Sequence, residues 1–178
     1  MEEKQLVKDC IKGSRKAQKA LYERFAPRMY AVCLRYAKDA DMAQDFLQEA
    51  FIRVFTYLKD FRFEGSFEGW IRRIVVNTAI EKLRQADVLK NSLELDMVNP
   101  VHYETHNLQE QIDAEELMQL IQSMPTGFRT VFNLFAIEGY THQEVGNILN
   151  ISEGTSKSQY ARARMWLMQR LKQKEERG

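Results

Sequence analysis

Apolar residues recur three and four positions apart over most of this chain, the spacing that lines one face of a helix. The stretch beginning at Asp41 shows it most clearly. There Leu47, Ala50, Phe51, Val54, Phe55 and Leu58 form an apolar stripe, and the other face presents Asp45, Gln48, Glu49 and Arg53. Upstream, Ser14 is placed to cap a helix through Ala17, Leu21 and Phe25. Pro27 suits the first turn of a separate helix carrying Met29, Tyr30, Val32, Cys33 and Tyr36, because proline lacks the N–H that a first turn leaves unused. An aromatic, glycine-containing loop, Phe61 to Ser66, follows, and Ser66 caps a stretch from Phe67 to Arg84. Within it, Ile74-Val75-Val76-Asn77-Thr78 is rich in β-branched residues and locally favours a strand. Trp70 or Ile71, Ile74 or Val75, Thr78 and Leu83 also fit one helical face. The length of the stretch and the lack of a second strand to pair with it favour helix.

Residues 87–112 have no period. They hold Asn99-Pro100 and scattered acids, and read as a linker. Helical spacing resumes through Leu117, Leu120, Ile121 and Met124 until Pro125, then again through Phe128, Val131, Phe132, Leu134 and Phe135 to an end near Glu138-Gly139. Thr141 and Glu144 then form a T-x-x-E capping box, in which each side chain satisfies a free N–H at the start of a helix. Val145, Ile148 and Leu149 share that helix's apolar face, and Asn150 tolerates the left-handed conformation that ends it. Ile151 plugs the turn, and Ser152 caps a second helix bearing Thr155, Lys157, Ser158, Gln159, Arg162 and Arg164. This is a helix-turn-helix pattern. Short polar groups at the start of its second helix and cations further along suit a major groove. An ordinary helical hairpin with a solvated basic face would share the pattern.

The expected fold is all-α. Two small helical domains, residues 1–86 and 113–178, are joined by a flexible acidic linker, 87–112.

Composition supports this. The 178 residues include only 3 prolines and 8 glycines. No apolar run reaches membrane-spanning length, so no membrane insertion is expected, and the polar start Met1-Glu2-Glu3-Lys4-Gln5 does not resemble a signal peptide. Cys10 and Cys33 are too few for a disulfide framework; reduced thiols in a cytoplasmic protein are the simpler reading. The net charge of +1 conceals a segmented pattern: +5 over residues 1–86, −7 over 87–116 and +3 over 117–178. The basic ends suit nucleic acid and the acidic middle does not. His102 and His106 stand at i, i+4, but no HExxH or cysteine partner accompanies them. No nucleophile–base constellation or phosphate loop is present. The expectation is a protein that is not an enzyme and has neither metal nor cofactor.

The second half, from Leu117 through Met124-Pro125, Arg129, Val131-Phe132, Glu138-Gly139-Tyr140-Thr141 and Glu144-Val145-Gly146 to Ile151-Ser152-Glu153-Gly154-Thr155 and Arg162-Ala163-Arg164, resembles region 4 of bacterial sigma factors. The first half holds Ala43-Gln44-Asp45-Phe46-Leu47-Gln48-Glu49-Ala50-Phe51 and Gly65-Ser66-Phe67-Glu68-Gly69-Trp70-Ile71-Arg72-Arg73-Ile74, with Asn77-Thr78-Ala79 and Leu83-Arg84, and resembles region 2. Two such regions, in order and without region 3 between them, resemble the extracytoplasmic-function group of the sigma-70 family.

The resemblance implies a protein that binds core RNA polymerase, directs it to promoter DNA and helps open it, in a stress or envelope response, often under an anti-sigma partner. It places core-polymerase binding on Asp45, Gln48, Glu49 and Arg53. It places minus-ten contacts on Phe63, Phe67, Arg72, Arg73, Asn77, Lys82 and Arg84, where rings hold unstacked bases and cations follow the backbone. Core packing is the competing role for Phe67, and the expected one for Trp70, Tyr160 and Leu167; Met165 and Trp166 carry no assignment. Minus-thirty-five contacts fall on Thr155, Lys157, Ser158, Gln159 and Arg162.

The chain departs from the family pattern in three places. Glu81-Lys82 follows Ile80, which leaves the minus-ten base preference open; Ser156 stands where Val is frequent; and Gln159 stands where Arg is common. Ser156 is expected to loosen the recognition helix slightly, and Gln159 to prefer adenine, whose edge its amide matches. The acidic linker is expected to follow the polymerase's nucleic-acid channel or to act as a solvated tether. A stand-alone helix-turn-helix regulator, with residues 1–86 sensing or dimerising, is the alternative.

Overall fold

The computed structural model describes residues 2–86, 88–95 and 113–176. Every regular element among them is helical. They form two compact units, residues 1–82 and 83–178.

The first unit opens with α1 (Glu3–Ile11), an element the sequence reading leaves out. Its polar start conceals a one-sided helix that buries Leu6, Val7 and Cys10. Helix α2 (Arg15–Tyr36) begins at Ser14, whose side chain accepts from the Ala17 N–H, as expected. It is one helix, however, and Pro27 lies inside it instead of opening a second. Proline deprives an interior turn of one hydrogen bond. Phe25, Ala26, Met29 and Val32 on either side of Pro27 are all buried, so packing holds the helix together through the proline. Helix α3 (Ala40–Tyr57) starts at Asp39, whose carboxylate accepts from the Met42 N–H at 2.8 Å; Asp41 is in its first turn. A 3₁₀ turn (Leu58–Asp60) leads to the aromatic loop and α4 (Phe67–Gln85). The β-branched run is helical. Ile71, Val75 and Ala79, four residues apart, are fully buried, and that burial overrides the local strand preference.

The second unit corrects the linker. Residues 88–95 form helix α5 (Val88–Leu95), not free tether. Leu89 and Leu93 are buried, and Ser92 Oγ accepts from the Gly127 N–H at 2.7 Å. Eight residues make too short a pattern for α5 to stand out at the head of an acidic, aperiodic stretch. Residues 96–112, with His102, His106, Asp96 and Glu104, lie outside the described residues.

Helices α6 (Ala114–Ser123) and α7 (Thr126–Phe132) meet at Pro125 as expected. A π-helical stretch, Asn133–Ile137, continues α7 and ends at Gly139 with φ +80°. Arg129 joins the two helices from inside. It is buried, and its Nη1 donates to the carbonyls of Gln122 at 2.7 Å and Met124 at 3.4 Å. Burial pushes its pKa down to about 10, so it stays charged at neutral pH and meets the carbonyl end of α6, where a cation is favoured.

Helices α8 (His142–Leu149) and α9 (Glu153–Glu175) complete the unit. Ile121, Met124, Ala163 and Leu167 form a core, with Leu117, Leu120, Phe128, Phe132, Ile137 and Trp166 packed around it. That assigns Trp166, over which the Arg170 guanidinium lies at 5.0 Å.

Candidate nucleic-acid interface

The helix-turn-helix has the expected local chemistry. Thr141 Oγ1 accepts from the Glu144 N–H at 3.2 Å and Glu144 Oε2 accepts from the Thr141 N–H at 2.7 Å, which closes the capping box. Asn150 adopts φ +55°, and the Ile151 N–H donates to the Gly146 carbonyl at 2.9 Å. The turn is so tight that a Cβ on Gly146 would come within 2.7 Å of the Ile151 carbonyl oxygen. Ser152 Oγ accepts from the Thr155 N–H at 3.0 Å and starts α9.

From α9, Lys157 is exposed, and Thr155, Ser158 and Arg162 are half-buried. Lys157 pairs with Glu153 at 2.7 Å. Between solvated side chains such a pair contributes little to stability, so Lys157 can exchange Glu153 for a phosphate at small cost.

Gln159 does not belong with these residues. It is only 1% exposed, and its Oε1 has no hydrogen-bond partner. A side chain in that position cannot meet a base edge, so the adenine-reading role is withdrawn. The phase of α9 explains the burial: Ser156, Gln159, Ala163, Leu167 and Leu171 form the inward stripe, three or four residues apart. Counting back from Ala163 and Leu167 would have placed Gln159 inside.

Ser156 likewise fastens the helix instead of loosening it. It is fully buried, and its Oγ lies 2.9 Å from His142 Nδ1, which ties α9 to the first turn of α8. The His142 ring stacks on Phe135 at 3.9 Å, and Tyr160 leans on Phe135 at 4.6 Å. Burial first, then the nearby Lys157, holds the His142 pKa below its ordinary value, against an opposing pull from Glu153. Tyr160 is half-buried within this ring cluster and Leu167 is buried, so both pack as expected.

On α4, Arg73, Asn77 and Arg84 are exposed. Positions i, i+4 and i+11 fall within about 40° of one another on a helix, so the three share a stripe. Arg72 and Lys82 are half-buried. Arg72 is about 100° round the helix from Arg73 and Lys82 about 180°, so neither lies on this stripe. Phe63 is 37% exposed, and its backbone is left-handed at φ +60°. For a residue with a Cβ this costs on the order of 1–2 kcal/mol, the kind of local strain that gathers at functional loops.

Phe67 is corrected. It is 1% exposed, edge-on to Phe25 at 5.4 Å and stacked with Trp70 at 5.7 Å. It opens the buried Phe67–Ile71–Val75–Ala79 stripe and anchors the loop from below. Trp70 is half-buried against Phe61 and Phe67.

On α3, Asp45 and Gln48 are exposed and Glu49 is half-buried. The sequence reading missed Ile52. It follows Gln48 by four residues, on the same face, and is 62% exposed. Arg53 is engaged by Glu49 and by α4, so its guanidinium is already committed within the unit. Its Nη1 and Nη2 donate to Glu81 of α4 at 2.6 and 3.1 Å, and its Nε donates to Glu49 at 3.3 Å.

Among the described residues, no group of three or more His, Cys, Asp or Glu could hold a metal ion, and no helix is long and apolar enough to cross a membrane.

The Sigma-70 region 2 family matches residues 21–88 and the Sigma-70 region 4 family matches residues 114–167. The RNA polymerase sigma-H factor of Pseudomonas aeruginosa is 29% identical over 178 residues, covering 92% of this chain and 90% of that one. The ECF RNA polymerase sigma-E factor of Escherichia coli is 30% identical over 170 residues, covering 89% and 88%. In fold, the chain is similar to the sigma factor RpoE of Bartonella quintana, solved with the anti-sigma factor NepR, with a TM-score of 0.52 and 20% identity over 86% of this chain and 96% of that one. The chain belongs to the extracytoplasmic-function group of the sigma-70 family and is a sigma factor that directs RNA polymerase to promoters.

Proposed function

We propose that the chain divides promoter recognition among three surfaces. The α3 face, with Asp45, Gln48, Glu49 and exposed Ile52, docks on core RNA polymerase. Arg73, Asn77 and Arg84 on α4, with Phe63 on the preceding loop, hold the melted minus-ten strand; Arg72 and Lys82 lie off that stripe. Thr155, Lys157, Ser158 and Arg162 on α9 meet the minus-thirty-five duplex. The observation that carries this reading is the capped α8–α9 pair, which fixes Lys157 and Ser158 on a helix start free to enter a groove. The protein acts where polymerase acts, in the cytoplasm, and an anti-sigma partner controls it, as NepR accompanies the Bartonella quintana protein.

Run-off transcription with core enzyme and a promoter library is the test. Specific initiation only when both chain and core are present is the expected result. Sequence-specific duplex binding by the chain alone, with no initiation, would favour a stand-alone regulator.

A further inference from the structure

Glu49, Arg53, Glu81 and Asn77 are contiguous across α3 and α4. Glu49 belongs to the face assigned above to polymerase. Arg53 lies one turn further along α3, and its guanidinium spans to α4, where it grips both carboxylate oxygens of Glu81, at 2.6 and 3.1 Å. Glu81 is one turn along α4 from the exposed Asn77, assigned to the minus-ten strand. Two parallel N–H···O bonds to one carboxylate fix the angle of approach as well as the distance, which a lysine could not do. The third bond, Arg53 Nε to Glu49 at 3.3 Å, prevents the guanidinium from swinging off α3. The hydrogen bonds from Arg53 hold the Glu81 carboxyl below its ordinary pKa.

Resting on the sigma-factor reading, we propose that Arg53 is a positioning residue, which through Glu81 locks the strand-binding stripe of α4 to the polymerase-binding face of α3. Polymerase grips α3 and the promoter strand is held on α4. Unless the angle between the two helices is fixed, polymerase binding cannot place Asn77 and Arg73 where the strand emerges. Arg53 therefore affects strand capture without touching either polymerase or DNA. The side chains are partly solvated (27% exposed for Arg53 and 47% for Glu81), so the bridge sets an angle and is not a major source of stability.

The test compares wild type, Glu81→Gln, Arg53→Gln and the exchanged pair Arg53→Glu with Glu81→Arg. Two affinities are measured: chain for core polymerase, and assembled holoenzyme for a single-stranded minus-ten oligonucleotide. Glu81→Gln keeps the shape and removes the charge. It is expected to weaken strand capture by about fivefold, the effect of losing one well-formed partly exposed ion pair, and to leave core affinity within about twofold of wild type. Arg53→Gln is expected to do the same, and the exchanged pair to recover most of the loss. Strand capture by Glu81→Gln equal to wild type would overturn the proposal. So would a loss of core affinity in Arg53→Gln as large as its loss of strand capture, since Arg53 would then be a direct polymerase contact. Wild-type holoenzyme that fails to initiate would remove the sigma-factor reading itself, and that failure is seen before any variant is compared.

Discussion

Gln159 and Ser156 show how far a single position can be read from a motif. Family resemblance correctly places both on the recognition helix, but not on which side of it. Which side depends on the phase of the helix against its core, and Ala163 and Leu167 set that phase. A buried amide oxygen without a partner is costly, by about 1–3 kcal/mol. Gln159→Leu keeps much of the volume and removes the unpaired oxygen. It is expected to leave the unit as stable as wild type or up to about 1 kcal/mol more stable, measured by chemical denaturation, because replacing an unpaired polar group by an apolar one of similar shape is near neutral or favourable. Promoter preference in a binding selection should not change. A shift in the preferred minus-thirty-five bases would mean that Gln159 turns outward on DNA. The same reasoning accounts for Phe67: aromatic type suggests stacking on a base, while its place four residues before Ile71 puts it inside.

Helices with a long apolar stripe, such as α3 and α9, are legible in sequence, and so are the caps at Ser14, Ser66, Thr141 and Ser152, because capping depends on residues adjacent in the chain. Elements whose identity depends on distant partners are less so. The β-branched centre of α4 is ambiguous until its burial is known. Helices α1 and α5 are too short to stand out, and the π-helical stretch after α7 has no local signature.

Helix α5 has the clearest consequence. Its Leu93 is buried 5% exposed, and its Ser92 accepts from the Gly127 N–H, so α5 is part of the region 4 unit even though it precedes the linker remainder. Leu93→Ala should destabilise that unit by about 2–5 kcal/mol, the range for a truncated core leucine. Thermal unfolding followed by Trp166 fluorescence, with Trp70 replaced by Phe in both proteins compared, would measure it. A loss below about 0.5 kcal/mol would show that α5 is not docked in solution.

Over the whole chain, the charge pattern has a meaning that no single helix carries. Segments of +5 and +3 sit on either side of one of −7, on a single backbone. A tethered acidic segment competes with DNA phosphates for the chain's own lysines and arginines, at an effective concentration that a free competitor would not reach. On that account the free chain is expected to bind DNA weakly, with polymerase supplying the affinity that promoter search needs. Neutralising Glu94, Asp96 and Glu104 as Gln, Asn and Gln adds three units of positive charge and tests both consequences. DNA binding by the free chain should tighten by about fivefold or more at low salt and by less as salt rises, because the competition is electrostatic. Initial transcription by the holoenzyme should fall if the acidic segment lies along a basic nucleic-acid channel of polymerase. Tighter free binding with unchanged initial transcription would leave the segment a tether that masks the DNA-binding surfaces, and would remove the channel role.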